Sequence, residues 1–103
     1  MQNLEIAWLD DALDDLEQIR DYYLEHVSVE TYDKILQRIV ISVNHLSTHA
    51  YMGRPSMKNK ELRELPIPNT YYIVPYRVKD NEIEIMRVFD GRQEPLESWY
   101  YKK

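Results

Sequence analysis

The chain has 103 residues, a formal net charge of −5 and no cysteine. This length suits a single domain over residues 1–103, and the lack of cysteine excludes both a disulfide framework and a thiolate metal site. Residues 1–50 carry three Lys/Arg against ten Asp/Glu, whereas residues 51–103 carry ten against eight, so the acidic first half disfavours general attraction to nucleic acid.

The N-terminus, Met-Gln-Asn-Leu-Glu-Ile, has no basic region followed by an apolar run, so no signal peptide is predicted. No apolar stretch approaches the roughly 20 residues that a membrane helix requires. We therefore expect a cytoplasmic protein without membrane association. Leu4 to Trp8 roughly alternates apolar and polar residues, which predicts a short opening strand.

Two helices should follow this strand. Apolar residues at three- and four-residue steps predict a helix from about Asp11 to Leu24, capped by Asp10 or Asp11. After a short break, Ser28 is a good cap for a second helix, which carries the same periodicity as far as Leu46. Helices joined by so few residues should pack as an antiparallel hairpin.

The second half of the chain is strand-like. Residues 47–60 lose all periodicity and contain Gly53 and Pro55, which predicts a loop. Short strands are expected over 62–65, 71–78 and 82–89, the last two joined by a turn at 79–81. Pro75 cannot donate to a sheet ladder, so it implies an edge strand or a bulge. The predicted fold is α+β, with an antiparallel helical hairpin packed on a small, twisted, mainly antiparallel sheet.

Arginines inside the predicted strands are the first candidates for chemistry. Arg77 and Arg87 lie among apolar strand neighbours, so each needs a partner, because an unpaired buried charge is too costly. A carboxylate is one candidate, with Asp90, Glu64, Glu84 or an acidic helix residue available. A phosphate is the other, since it matches the guanidinium fork equally well. Arg63 and Arg92 lie close to strand ends, where both roles stay open.

A loose basic cluster surrounds the loop and the strand that follows it. Its members are Arg54, Lys58, Lys60 and Arg63, and Tyr51, Tyr71 and Tyr72 offer stacking surface beside it. The cluster is either a solvated surface or a binding site.

Histidines, glycines and tyrosines contribute little chemistry by themselves. His45 and His49 have a metal-ligand spacing, but too few further ligand types accompany them, and no metal site or cofactor is predicted. Gly53 and Gly91 are the only glycines, so the sequence contains no glycine-rich phosphate loop. Among nine tyrosines, Tyr72, Tyr100 and Tyr101 are positional candidates for proton transfer, with packing as the alternative role.

The ordered set of segments resembles a known family. A helix pair, a basic loop with Gly53-Arg54-Pro55, then Leu-Arg-Glu-Leu, Tyr-Tyr-Ile-Val-Pro-Tyr-Arg-Val and Ile-Met-Arg-Val-Phe-Asp-Gly-Arg-Gln are similar to the RelE/ParE toxins of bacterial type II toxin–antitoxin systems. The resemblance extends from about Ile6 to Gln93. It implies a growth-arresting toxin with a cognate antitoxin and a role in plasmid stabilisation.

The resemblance implies two functional branches. RelE-like toxins cleave messenger RNA on the ribosome without a metal, using cationic side chains and often a tyrosine or histidine, whereas ParE-like toxins poison DNA gyrase. Ile73 stands where RelE-like nucleases carry an arginine, and Asp90-Gly91-Arg92 replaces a common His-Gly-Arg. Losing one well-aimed transition-state donor costs roughly 10²–10³ in rate, so the ParE-like branch is favoured.

Three functional hypotheses follow. The first is a gyrase-binding toxin whose antitoxin folds onto the helical hairpin and a sheet edge. Its expected target contact is the segment from Pro95 to Lys103, and its candidate binding residues are Arg54, Lys58, Lys60, Arg77, Trp99 and Tyr101. The second is a ribosome-dependent endoribonuclease using Arg63, Arg87 and Arg92 for phosphate charge and Tyr72 or Tyr101 as proton carrier. The third is an inactive family member that acts as a binding module. A homodimer and a toxin–antitoxin hetero-oligomer are both compatible with the sequence.

Overall fold

The computed structural model describes residues 3–93, which form two helices and six strands. In chain order the elements are β1 (Glu5–Trp8), α1 (Asp10–His26), α2 (Val29–His45), β2 (Arg54–Pro55), β3 (Arg63–Pro66), β4 (Tyr72–Lys79), β5 (Glu82–Ile85) and β6 (Phe89–Asp90). The strands form one sheet in the order β1-β5-β4-β3-β2. Strand β6 pairs with β4 along the same edge as β5, next to the other end of β4. Only the β1–β5 pairing is parallel among these strands, which confirms the predicted mainly antiparallel α+β fold.

The helical hairpin covers one face of the sheet. Ile39 and Val43 of α2 and Ala12 of α1 are fully buried against Val74 and Tyr76 of β4. The Ser28 hydroxyl accepts from the Thr31 backbone N–H, as expected for the cap of α2. The predicted cap of α1 is wrong: Leu9 is the N-cap residue, with no side-chain cap bond, and Asp10 and Asp11 lie in the first turn. Leu13, part of the predicted apolar stripe, is 48% exposed.

The predicted strand over 82–89 is two strands separated by a bulge. Tyr76 pairs with Ile85, whereas Ile73 pairs with Phe89, so two residues of β4 face three residues between β5 and β6. This bulge confirms one of the two alternatives for Pro75; the edge alternative is wrong, because β4 is an inner strand. The Met86 N–H donates to the Pro75 carbonyl at the bulge. Pro75, which has no backbone N–H to donate, therefore faces the side of β4 on which the bulge interrupts the hydrogen bonds to β5 and β6.

The turn and loop regions differ from the prediction in one detail. Asp80 adopts a φ of 58° between β4 and β5, which fits the predicted turn. The segment 47–60 is a loop except for the two residues of β2, which pair with β3 at the sheet edge. Neither helix between residues 3 and 93 has the length and apolar character required to cross a membrane.

Candidate functional site

A groove of two adjoining cavities lies between α1 and the end of the sheet formed by β4 and β6. The larger cavity has a volume of about 580 Å³ and the smaller one about 480 Å³. Four residues line both cavities: Tyr23, Tyr72, Asp90 and Arg92. We refer to the two cavities together as the tyrosine groove, since Tyr22 and Tyr71 complete its walls.

The register of β4 and β6 creates the centre of the groove. Tyr72 pairs directly with Asp90, so both side chains lie on the face of the sheet that carries the helices. Arg92 follows in the turn and donates from Nη2 to Asp90 Oδ2 at 2.7 Å and from Nε to Oδ1 at 3.1 Å. The Arg92 guanidinium also lies 3.9 Å from the centroid of the Tyr71 ring. These contacts lower the pKa of the Asp90 carboxyl, mainly through the hydrogen bond from Arg92.

Arg87 reaches the groove through the bulge and pairs with helix α1. Its Nε and Nη2 donate to the two carboxylate oxygens of Asp15 at 2.7 and 2.9 Å, and the Val88 N–H donates to the same carboxylate at 2.9 Å. The hydrogen bond with Asp15 raises the pKa of Arg87. Ile85 and Phe89 lie on opposite faces of the sheet, because the bulge adds one residue between them, and Arg87 and Val88 within the bulge both bind Asp15.

Tyr72 lines the larger cavity together with Arg87 and Arg92, as do Tyr22 and Tyr23. Burial and a side-chain hydrogen bond with Tyr23 raise the pKa of Tyr72 far above its ordinary value of 10.0. A phenol whose proton is held this firmly is poorly matched to proton transfer near neutral pH, where an efficient catalytic group titrates.

The raised pKa predicts a dependence of stability on alkaline pH. The folded chain holds the Tyr72 proton above pH 10, where the unfolded chain releases it, so the free energy of unfolding falls as pH rises. Tyr72→Phe should reduce stability at pH 8 by about 1 kcal/mol, because the hydrogen bond with Tyr23 is lost. From pH 8 to pH 11, however, the variant should lose less stability than the wild type. Urea unfolding at both pH values measures this; equal losses in the two proteins would contradict the assignment.

The basic cluster predicted from the sequence is found away from the groove, around the loop before β3. Arg63 donates from Nε to the Gly53 carbonyl at 2.9 Å and from Nη2 to the Tyr51 carbonyl at 3.1 Å. Arg54 pairs with Glu64 at 3.4 Å on the other face of the sheet. Lys60 is exposed, and Lys58 is partly buried. Arg63 therefore stabilises the loop by binding its backbone.

The other predicted sites have ordinary structural partners. Arg77 pairs with Glu84, its direct cross-strand neighbour, with Nε 2.6 Å from Oε1. This confirms that a carboxylate satisfies Arg77, as Asp15 satisfies Arg87. His49 Nδ1 lies 2.9 Å from the Thr48 hydroxyl, and within residues 3–93 no group of three or more His, Cys, Asp or Glu side chains is arranged to hold a metal. The segment from Pro95 to Lys103, which includes Trp99, Tyr100 and Tyr101, lies outside the described residues.

Of the five residues proposed for phosphate chemistry, the structure brings three together, and Tyr101 lies outside the described residues. Arg87, Arg92 and Tyr72 line the larger cavity, whereas Arg63 binds the loop. Sequence reasoning counted an acidic helix residue among the candidate partners of Arg87 but did not single out Asp15. A signal was present, because Asp15 is spaced three and four residues from Ala12 and Ile19 on the core-facing side of α1, and a carboxylate among apolar helix positions requires a partner.

Comparisons with known proteins agree on one family. The family described as "ParE toxin of type II toxin-antitoxin system, parDE" matches residues 6–95. A Sinorhizobium fredii protein named "Putative toxin Y4kP" is 31% identical over 94 residues, covering 91% of this chain and 95% of that protein. A structure of the chromosomal ParDE system of P. aeruginosa aligns with a TM-score of 0.77 and 32% identity, over 84% of this chain and 95% of the other.

A more distant structure shares only the fold. A conserved hypothetical protein from Helicobacter pylori aligns with a TM-score of 0.59 and 17% identity, over 87% of this chain and 97% of the other. Together with the P. aeruginosa structure, it shows that a helical hairpin on this sheet recurs beyond close relatives.

Proposed function

Because the chain belongs to the ParE toxin family of type II toxin–antitoxin systems, we propose that it inhibits DNA gyrase by binding it and is neutralised by a cognate antitoxin. The action is that of a binding protein in the cytoplasm, and residues 1–103 act as one toxin domain. The observation that carries the proposal is that the arginines considered for phosphate chemistry already bind carboxylate or carbonyl groups of this chain.

The arginines considered for phosphate chemistry each bind a partner within the chain. Arg87 and Arg92 are paired with the carboxylates of Asp15 and Asp90, and Arg63 donates to two backbone carbonyls. Stabilising a developing phosphate charge requires cationic donors aimed at the reacting group before the reaction begins. Cationic donors that already bind carboxylates contribute little to the stabilisation of that developing charge. Their pairing, together with the firmly held proton of Tyr72, supports recognition over cleavage.

The tyrosine groove is the surface that we assign to the antitoxin. Its ionic groups are already paired, so a segment that enters it must gain affinity mainly from apolar and aromatic contacts with side chains such as Tyr22 and Val27, which are 57% and 52% exposed. An antitoxin segment that folds on contact can place an amphipathic helix there. If a strand is added, β1 is the better edge, because β2 has two residues and one of them is Pro55.

A direct test compares two activities of the purified toxin. We expect it to inhibit supercoiling by purified gyrase and to leave messages intact in a translating ribosome reaction. The sharing of one cavity by Arg87, Arg92 and Tyr72 favours the endoribonuclease as the second candidate, and it predicts the reverse result. A matched control is Tyr72→Phe, which should keep gyrase inhibition but would lose message cleavage if Tyr72 carried a proton.

Expression of the protein in bacteria distinguishes all three functional hypotheses, including that of an inactive family member. Chromosome breaks and growth arrest with intact messages agree with gyrase inhibition. Cut messages with intact chromosomes would refute it in favour of the nuclease. Normal growth at a confirmed level of folded protein would identify an inactive family member that serves as a binding module.

A further inference from the structure

The loop before β3 exposes an unusual set of side chains. Met57 is 98% exposed, Tyr51 69% and Met52 48%, although all three are large and apolar. Lys60 is exposed within the same loop. We name these four residues the loop surface. Methionine and tyrosine are enriched in the cores of protein–protein interfaces, whereas a purely solvated loop has no need of exposed apolar side chains.

The first half of this loop is held in place by a buried phenol and a guanidinium. The Tyr76 hydroxyl donates to the Ala50 carbonyl at 2.8 Å and accepts from the Gly53 N–H at 2.9 Å. Arg63 binds the carbonyls of Gly53 and Tyr51, and its guanidinium lies 5.3 Å from the centroid of the Tyr51 ring. Tyr51 and its neighbours are thus presented in one conformation by groups that belong to the sheet.

The second half is organised around Ser56, which is only 6% exposed. Its hydroxyl accepts from the backbone N–H groups of Lys58 and Asn59, and its own N–H donates to the Leu62 carbonyl. Met57 is therefore projected outward from a fixed backbone. A surface ordered before binding loses little conformational entropy when a partner arrives, which raises affinity.

We propose that the loop surface is where this toxin binds its target, and that it docks on an acidic protein surface with an apolar recess for Met57. The inference rests on the proposed function as a target-binding toxin. Although the chain has a net charge of −5, residues 51–64 contain four cationic side chains against two acidic ones. The complementary partner is accordingly anionic, and opposite charges on the two surfaces would steer their encounter.

The balance of charge and apolar area favours a protein over nucleic acid as the occupant. Affinity for nucleic acid comes mainly from neutralising several phosphates, and two of the four cations here, Arg54 and Arg63, already bind Glu64 and the loop backbone. The two methionines add apolar area that a phosphate backbone cannot use. They suit a partner with an apolar recess, where one central side chain carries much of the binding energy.

Two exposed substitutions test the inference without touching the core. Met57→Ala and Lys60→Glu should each raise the toxin concentration for half-inhibition of gyrase supercoiling at least tenfold. Lys34→Glu is the matched control, since it makes the same charge change at an exposed position of α2, and it should change that concentration less than twofold. Urea unfolding should show equal stability for all three variants, because their side chains lie at the surface.

The outcomes distinguish a failure of the loop-surface proposal from a failure of the proposed function. If the wild type inhibits gyrase and both loop variants inhibit equally well, the loop surface is refuted while the proposed function stands. If the wild type arrests growth without inhibiting gyrase, the gyrase target is refuted, and relief of arrest by the loop variants, but not by Lys34→Glu, still supports the surface. A wild type that neither inhibits gyrase nor arrests growth refutes both.

A labelled 20-nucleotide single-stranded DNA distinguishes the alternative occupant. We expect no loop-dependent binding in fluorescence anisotropy at 150 mM salt. Binding by the wild type that Lys60→Glu abolishes and Lys34→Glu preserves would mean that the loop surface recognises phosphates, which would overturn the proposal of a protein partner.

Discussion

Replacing Asp15 by asparagine should reduce the free energy of unfolding by about 3 kcal/mol, because it removes the carboxylate that binds a partly buried guanidinium through two hydrogen bonds. The Asp15 side chain is 10% exposed and that of Arg87 is 30% exposed, so water can replace little of the lost interaction. The same carboxylate also accepts from the Val88 backbone N–H. One residue of α1 therefore fixes the position of the bulge between β5 and β6. Urea unfolding of the variant at neutral pH measures the loss.

Asp14→Asn is the matched control for this prediction. Asp14 precedes Asp15 on the same helix but is exposed, so its replacement should change stability by no more than about 0.5 kcal/mol. A double variant provides a second check: Asp15→Leu with Arg87→Met should be more stable than Asp15→Leu alone, since the double change leaves no unpaired charge. If the Asp15 and Asp14 variants proved equally stable, the ion pair would not anchor the bulge.

Gly53→Ala should destabilise the protein by about 3 kcal/mol through overpacking. A Cβ added at Gly53 would lie 2.6 Å from a ring carbon of Tyr76 and 2.8 Å from the Glu64 carbonyl oxygen. Neither neighbour can move freely, because Tyr76 is fully buried and Glu64 pairs with Arg54 and Pro75 in the sheet. The substitution should also disturb the bonds by which the Tyr76 hydroxyl holds Gly53 and Ala50. Chemical denaturation gives the magnitude.

Gly91→Ala shows whether the effect at Gly53 is specific. A Cβ at Gly91 would meet the terminal carbon of Ile73 at 2.7 Å and the Tyr71 carbonyl oxygen at 3.0 Å. The flexible side-chain end can rotate away and the carbonyl has to shift only slightly, so the cost is lower than at Gly53. The expected loss is about 1 kcal/mol. A loss at Gly53 as small as the loss expected at Gly91 would indicate that the Tyr76 ring can move, and the loop before β3 would then be less rigid than its contacts imply.

The two candidate surfaces divide the proposed activity between different partners. The tyrosine groove contains compensated charges and aromatic walls, which suits a folding antitoxin segment, while the loop surface carries a cation and bare apolar side chains. Variants at one surface should therefore affect one partner. Met57→Ala and Lys60→Glu should weaken target inhibition while leaving antitoxin binding intact, which follows from the assignment of the two surfaces.

Much of the fold could be predicted from local sequence patterns. Periodic apolar residues predicted both helices, Ser28 predicted the start of α2, and Pro75 predicted either an edge strand or a bulge, of which the bulge is found. These signals suffice because each depends on residues close together in the chain. The position at which 82–89 divides into β5 and β6 could not be predicted, since it is set by how the segment pairs with β4, where Arg87 and Val88 also bind a carboxylate of a distant helix.

The sequence by itself determined the two helices, most of the strands and the resemblance to the family, because apolar spacing and turn residues act locally and the order of segments is distinctive. Only the tertiary structure decided which carboxylate each arginine binds, that Tyr72 shares a cavity with Arg87 and Arg92, and that Arg63 belongs to the loop instead. The physical reason is that an unpaired buried charge takes the nearest partner in space, and the side chains that meet in this way come from distant parts of the chain.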